Sequence, residues 1–360
     1  MPPTAIRGRC RIVICFDVAR SIDLALAGSA LSAARRTTFH HKGGFPTQAG
    51  VAPPVRVSWR ARPVEVDGVA TDDEIEISLY DFGAIAITWT LPIADELEEL
   101  VATSTSLYGN AELVAWSRSV AEEVLSAVGA AAERPRLLDL HEDYVVYELG
   151  AGDEPVDTLL ERERERLARI LRAEPLRLSR QEVDDALSSP VSYGERDVAL
   201  VDWLSSILIG NDTDDERLLL ELATVELLEL HVLDAQLDRE TEAAYRLLTT
   251  RRGPFASWTT QRRELAAIAR AQADDALLHE GIDNALKLFG DDYLARLYRV
   301  AGQRFHFDDF DRSIQRKLGV LRSVYESLSD QASHRRSEVL EWIIIVLIAV
   351  EILLYFEPWT

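Results

Sequence analysis

Hydrophobic and polar positions alternate between two regimes along this chain. Residues 9–19, "RCRIVICFDVA", form a β-branched, apolar run of the kind a buried strand presents. "SIDLALAGSALSAARR" then switches to helical spacing at Ile22, Leu26, Ala30 and Ala33. Residues 36–54 hold Gly43, Gly44, Pro46, Gly50, Pro53 and Pro54 and read as a long loop. The segments "VRVSWRA", "EIEISLY" and "AIAITWTL" return to strand character, with Gly83 marking a tight turn or bulge before the last of them. Helical spacing follows over roughly 92–105 and 110–130, and "DYVVYEL" at 143–149 reads as a closing strand. The order predicts an α+β domain over residues 1–150: an antiparallel or mixed sheet with helices, in a ferredoxin-like arrangement.

"GAGDEPVD" at 150–157 is the linker candidate, and beyond it the pattern is almost wholly helical. Ser179 and Glu182, and Ser192 and Glu195, have capping-box spacing. "VALVDWLSSILI" reads as an apolar, helix-like run, with a buried Trp203 beside an Asp202 paired to an arginine. From about 214 to 250 a stripe of Leu219, Ala223, Leu230, Leu233, Leu237, Ala244 and Leu247 recurs at intervals of three, four or seven, interrupted by Glu226 and Glu240. Gly253-Pro254 ends that helix, and a second runs over roughly 258–289. A last long helix begins near Asp308. Its positions Ile314, Leu318, Leu321, Tyr325 and Leu328 form a heptad seam suited to a bundle or an oligomer interface. Residues 157–338 are therefore expected to be a helical bundle or coiled-coil domain.

No Pro or Gly interrupts the chain between Val320 and Glu357, so the last helix continues into "VLEWIIIVLIAVEILLYF". Val339–Phe356 would be about 27 Å long at ~1.5 Å per residue, against a hydrocarbon core of roughly 30 Å. Arg335 and Arg336 precede it, Trp342 lies near one end, and Tyr355 and Trp359 near the other, as at membrane boundaries. Glu341 and Glu351 oppose the reading, but sit about 80° apart on the helix and define a polar face for helix packing. The expectation is a single transmembrane helix at 339–357 that anchors a cytoplasm-facing protein in the inner membrane.

Composition narrows the classes. Against 39 Lys and Arg stand 61 Asp and Glu, a net charge of −22 that repels nucleic acid over most of the surface. The two cysteines, Cys10 and Cys15, lie at an odd offset within a strand, which puts them on opposite faces as buried small hydrophobes. The first apolar run is broken by Asp17, Arg20 and Asp23, unlike a signal core.

"NALKLFGDDYLARLYRVAGQRFHFDDFDRSIQRKLGVLRSVYESLSDQASHRRSEVLEWIIIVLIAVEILL" resembles the end of the Rmd/YagE family, the "required for meiotic nuclear division" and sporulation group. "VSYGERDVALVDW" and "LELATVELLELHVLDAQLDRE" resemble its central motifs, and "LYDFGAIAITW" its amino-terminal strand pair. The resemblance implies a membrane-associated, self-assembling protein, with the ribosome as a partner by analogy with a mitochondrial inner-membrane relative. Tyr193 is followed here by Gly194, and Asp202-Trp203 by Leu204, both departures from the family pattern.

No phosphate-binding, zinc-protease, nucleophile-elbow or dinucleotide motif occurs in the sequence. His40-His41 read as surface histidines, and Asp275, His279 and Asp283 as a solvated helix face. Tyr193, Asp202, Trp203, Asn284 and Lys287 remain as positions for a partner or for helix cross-links. The functional expectation is a non-enzymatic, homo-oligomeric scaffold held to lipid by its last helix, recruiting a cytoplasmic protein and using no cofactor. An oligomeric ion-conducting assembly and a ligand-binding enzyme are the alternatives.

Overall fold

A computed structural model describes residues 7–31, 35–36, 54–93, 96–150, 154–249 and 292–356. Chain order begins β1 (Gly8–Asp17), β2 (Ser21–Ile22), α1 (Leu24–Ala30), β3 (Arg35–Arg36), β4 (Val55–Arg60), β5 (Glu65–Val66) and β6 (Val69–Ala70). It continues β7 (Glu74–Leu79), β8 (Ala84–Ile93), α2 (Leu97–Leu107), α3 (Ala111–Val128), β9 (Ala132–Glu133) and β10 (His141–Leu149). Next come α4 (Val156–Arg172), α5 (Arg180–Ala186), β11 (Val198–Val201), β12 (Ser205–Ile209) and α6 (Asp214–Thr249). The last described helices are α7 (Asp292–Arg304) and α8 (Phe307–Phe356).

Two compact units emerge. The first takes the chain to Val232 and adds a later segment ending at Asp309; the second comprises Leu233–Ala276 and Phe310–Thr360. The first unit is α+β. Its main sheet has eight strands in the order β11-β12-β10-β1-β8-β7-β4-β3. Antiparallel neighbours prevail, but β10 and β12 run parallel, Val145 opposite Ser205, so the sheet is mixed. The helices α4 and α5 lie on the connection between those two strands, as a parallel pair requires. Strands on both sides of residues 150–157 thus belong to one sheet; its central strands β10-β1-β8-β7 are antiparallel in the 4-1-3-2 order of a ferredoxin-like arrangement, extended by β4 and β3 on one side and by β12 and β11 on the other.

Local chemistry sets the element ends. Asp23 caps α1 by accepting from the backbone N–H groups of Ala25 and Leu26, at 3.0 Å each. Asn110 caps α3 through the Leu113 N–H, and Ser179 caps α5 through the Glu182 N–H, as its spacing predicts. Gly83 sits between β7 and β8 at φ +102°, and a Cβ there would meet the Ala19 carbonyl oxygen at 2.0 Å. Only glycine fits that approach. The second predicted capping box forms no helix. Asp197 instead accepts from the N–H groups of Tyr193 and Gly194 in a turn before β11.

Side-chain alternation gives the sheet two unlike faces. Cys10, Ile12, Ile14 and Phe16 of β1 share one face with Trp89, Ile87, Ile77, Tyr147 and Ile207 of neighbouring strands. These form one apolar core with residues of α1 to α5 such as Leu100, Val124, Leu167 and Val183. Trp89 is its largest buried side chain, and its Nε1–H donates to Ser117 Oγ at 2.8 Å. Arg11, Val13, Cys15 and Asp17 point the other way. The two cysteines are both buried and free, one on each face.

In the second unit, Ile314, Leu318 and Leu321 of α8 are buried, as are Leu233, Leu237 and Ala244 of α6. Lys317 donates to Asp234 at 2.8 Å and pairs with Asp238 at 2.5 Å. Tyr325 and Leu328 of the predicted seam lie within the described backbone of α8.

The terminal segment corrects the membrane expectation. Among the described residues, no helix is long and apolar enough to cross a membrane. Between Glu341 and Glu351 the uncharged run is nine residues, Trp342–Val350, or about 14 Å of helix, roughly half the hydrocarbon thickness. Glu341 and Glu351 are therefore not a transmembrane polar face. Arg335, Arg336, Trp342 and Tyr355 mark no membrane boundary, and Trp359 lies outside the described residues. The single-pass inner-membrane placement and the lipid contact fall with the span.

Candidate functional site

The second sheet face carries the unusual chemistry. Arg11 on β1, Arg56 on β4, Glu76 and Tyr80 on or beside β7, Thr88 and Thr90 on β8, and Glu148 on β10 all project from it, by the strand registers. Helix α6 supplies Arg217 and Glu221, one turn apart on the same side. Every one of the six charged groups is largely withdrawn from water, with side-chain exposure from 0% at Glu221 to 22% at Glu76.

The contacts interlock. Arg11 Nε donates to Glu148 at 2.9 Å, and Arg11 Nη1 donates to Thr90 at 2.8 Å and reaches Glu76 at 3.4 Å. Arg217 Nη1 donates to Glu76 at 3.0 Å, and its Nε lies 3.6 Å from Glu148. Arg56 Nη2 donates to Glu221 at 2.6 Å, and the hydroxyls of Tyr80 and Thr88 donate to the same carboxylate at 2.9 and 3.3 Å. Three guanidinium groups face three carboxylates, so formal charge cancels. Burial pushes the Glu76 carboxyl up, but Arg217, Arg11 and Arg56 together hold it below its usual value. Burial lowers Arg217, and Glu76, Glu221 and Glu148 more than reverse that. Burial and the adjacent Glu221 carboxylate keep Tyr80 protonated, as a donor.

Farther along the face lies a second, less balanced group. Asp17, fully buried at the end of β1, accepts from Arg136 Nε at 3.0 Å and from Arg136 Nη2, a two-point grip along one guanidinium edge. Glu229 of α6 has an inaccessible Oε1 with no hydrogen-bond partner. Burial first, then the Asp17 charge, push its carboxyl well up. His231 Nδ1 contacts Glu142 at the start of β10, whereas Asp143, whose carboxyl burial raises, lies opposite Ile14 and projects from the other face. Among the described residues, no cluster of His, Cys, Asp or Glu is arranged to hold a metal ion.

The sequence-selected positions fall elsewhere. Asp202 is buried in the turn joining β11 and β12, paired with Arg172 and, at 3.6 Å, with Arg304. Burial nonetheless leaves its carboxyl above the usual value. Arg304 also reaches Asp185 and Ser188, tying α7 to α5. Trp203 is not buried: it is 49% exposed, because the run "VALVDWLSSILI" is a hairpin whose turn carries it outward. Tyr193 is 78% exposed and stacks edge-on against Tyr293 at 5.7 Å. Asn284 and Lys287, like His40, His41, Asp275, His279 and Asp283, lie outside the described residues. Sequence reading missed Arg11, Glu76 and Glu148. Their available signal was a charged residue at an alternating position with apolar or aromatic residues in the same strand.

A mixed eight-stranded α+β domain with one apolar face and one ion-paired face, closed by α6, is the class these features define. The sequence family described as "Uncharacterized protein MJ0711, N-terminal domain" matches residues 7–216. That is more than half of the chain, and the chain belongs to this family. Uncharacterized protein MJ0711 of Methanocaldococcus jannaschii is 24% identical over 216 residues, covering 59% of this chain and 65% of that protein. The matched part thus spans just under two thirds of the relative's length. No solved structure matches. These findings overturn the Rmd/YagE assignment. That resemblance drew most on the helical end of the chain, where heptads and aliphatic runs recur in unrelated proteins, whereas the family match lies in the sheet-bearing part.

Proposed function

We propose that this protein is a non-catalytic, self-associating scaffold whose assembly element is the carboxyl-terminal part of α8. The observation that carries the reading is a run of five consecutive aliphatic residues, Ile344, Ile345, Val346, Leu347 and Ile348, each 49–62% exposed. At about 100° per residue they occupy every direction around the helix. A helix apolar on all sides calls for burial, and these five side chains stay about half exposed. The upstream seam of Ile314, Leu318 and Leu321 supports the reading, since it is already buried against solvent and leaves the later turns available to other copies. Exposed Tyr193 and Trp203 give the first unit aromatic positions at which a protein partner can dock. The strong negative charge favours a protein partner over nucleic acid. The ion-conducting alternative required a membrane span and is not carried further. A ribosomal partner rested on the overturned resemblance and is set aside with it.

Light scattering on the full chain in detergent-free buffer tests the proposal. The expected result is a discrete oligomer that Leu347→Glu converts to a smaller species without loss of helical circular dichroism. A monodisperse monomer at tens of micromolar would contradict it.

A further inference from the structure

In the second unit, a polar cluster joins α6 to α8. Ser313 Oγ of α8 donates to the Asp234 carboxylate of α6 at 3.1 Å. Lys317, one turn later on α8, donates to the same carboxylate at 2.8 Å and to the Asp234 carbonyl at 3.3 Å. It also pairs with Asp238, one turn later on α6, at 2.5 Å. The advance has the same sense on both helices, so they run parallel here. Lys317 and Asp234 are largely withdrawn from water, with side-chain exposure of 20% and 23%. Burial alone lowers the Lys317 ammonium, and Asp234 and Asp238 more than reverse that.

The apolar contact beside this cluster does not by itself select a level. Leu233, Leu237 and Ala244 of α6 and Ile314, Leu318, Leu321 and Val324 of α8 are buried aliphatic side chains at spacings of three, four or seven. Sliding one helix by a turn brings aliphatic against aliphatic again, and apolar burial has no direction of its own. The polar cluster is different. Moved outward by seven residues, Lys317 would face Thr241 and Tyr245 in place of Asp234 and Asp238. Moved inward by one turn, it would keep only Asp234. One turn outward it would meet Asp238 and Glu242, since Asp234, Asp238 and Glu242 repeat every four residues along α6. That level is the nearest competitor. It strands Asp234 away from water, and Glu242 is exposed and already paired with Arg246 at 3.5 Å.

We propose that Lys317 is the register key of the second unit: its contacts with Asp234 and Asp238 select one of two levels, a helical turn apart, at which α8 can pack on α6. A polar contact can fix the register of helices whose apolar stripes allow several. Because α8 is continuous to Phe356, the key also sets how far along this unit the run Ile344–Ile348 stands. It is a property of one chain and holds whether or not copies assemble.

Pulsed electron spin resonance on the full chain tests the key, with nitroxide labels at Arg239→Cys and Glu326→Cys, exposed positions of α6 and α8 in this unit. Cys10 and Cys15 are fully buried and take no label. Dilution with unlabelled protein removes distances between copies. The otherwise wild-type chain should give one narrow distance. Asp234→Leu takes away the partner specific to the native level and leaves Asp238 and Glu242, so the main distance should lengthen by up to about 5 Å, one turn. Lys317→Met removes the preference, and both distances should be populated. An unchanged single distance in either folded variant would overturn the proposal. So would two distances in the otherwise wild-type chain, a result that needs neither variant to fold.

Discussion

The two faces of the central sheet bury side chains by opposite means. On one, Ile14, Ile77, Ile87 and their aliphatic neighbours are removed from water by packing against α1 to α5, and they need no particular partner. On the other, Arg11, Arg56 and Glu221 are removed from water nearly as completely, and each depends on named partners at hydrogen-bond distance. Apolar burial is non-directional and tolerates small changes, with cost tracking lost volume. A buried ion network is directional. Its members stabilise little as a set, but the loss of any one strands the charge it faced. The difference predicts that the apolar face sets how stable the domain is, and the charged face sets where α6 can sit.

The sharpest way to break the comparison is Glu221→Ala. It removes the nearest carboxylate partner of buried Arg56 and the acceptor for Tyr80 and Thr88, and should cost about 3–5 kcal/mol in denaturant unfolding. A loss under about 1 kcal/mol would put the network on a par with surface ion pairs. On the apolar face, Trp89→Phe leaves Ser117 buried without its donor and opens a small void, for roughly 1–3 kcal/mol by the same assay. Acid titration separates the faces by sign. Because Glu76 is held below its ordinary value, its contribution is complete above about pH 4.3 and is lost as pH falls through the folded value. Wild type should therefore lose stability more steeply than Glu76→Gln between about pH 4.5 and 3, and equal slopes would remove Glu76 from the network. The smallest effect belongs to Glu154→Gln. That carboxylate pairs with Arg162 at 2.7 Å on the surface, and the unfolding midpoint should not move measurably.

How much of this was legible in the sequence follows the same division. Elements on the apolar face announce themselves. "AIAITWTL" and "DYVVYEL" are strands where predicted, Gly83 makes the predicted turn, and Ser179 caps the helix its spacing implies. The β11–β12 hairpin was misread as helix because both its strands are buried. A continuous apolar run of that length lacks the alternation that separates strand from helix. The charged network was hidden for a different reason. Arg11, Glu76 and Arg217 lie far apart in the chain, and only the strand register and the position of α6 bring them together. At the carboxyl terminus, aliphatic density outweighed the two glutamates in the sequence reading, although they leave a neutral run too short for a bilayer.

A double-mutant cycle on Arg56 and Glu221 tests the central claim most directly, that the charged face is held by mutual pairing and not by burial as such. The measured quantity is the coupling free energy from the unfolding of wild type, Arg56→Met, Glu221→Gln and the double variant. Strong coupling, at least about 1.5 kcal/mol with the double variant less destabilised than the sum of the singles, is the predicted result. Additivity within about 0.5 kcal/mol would contradict it.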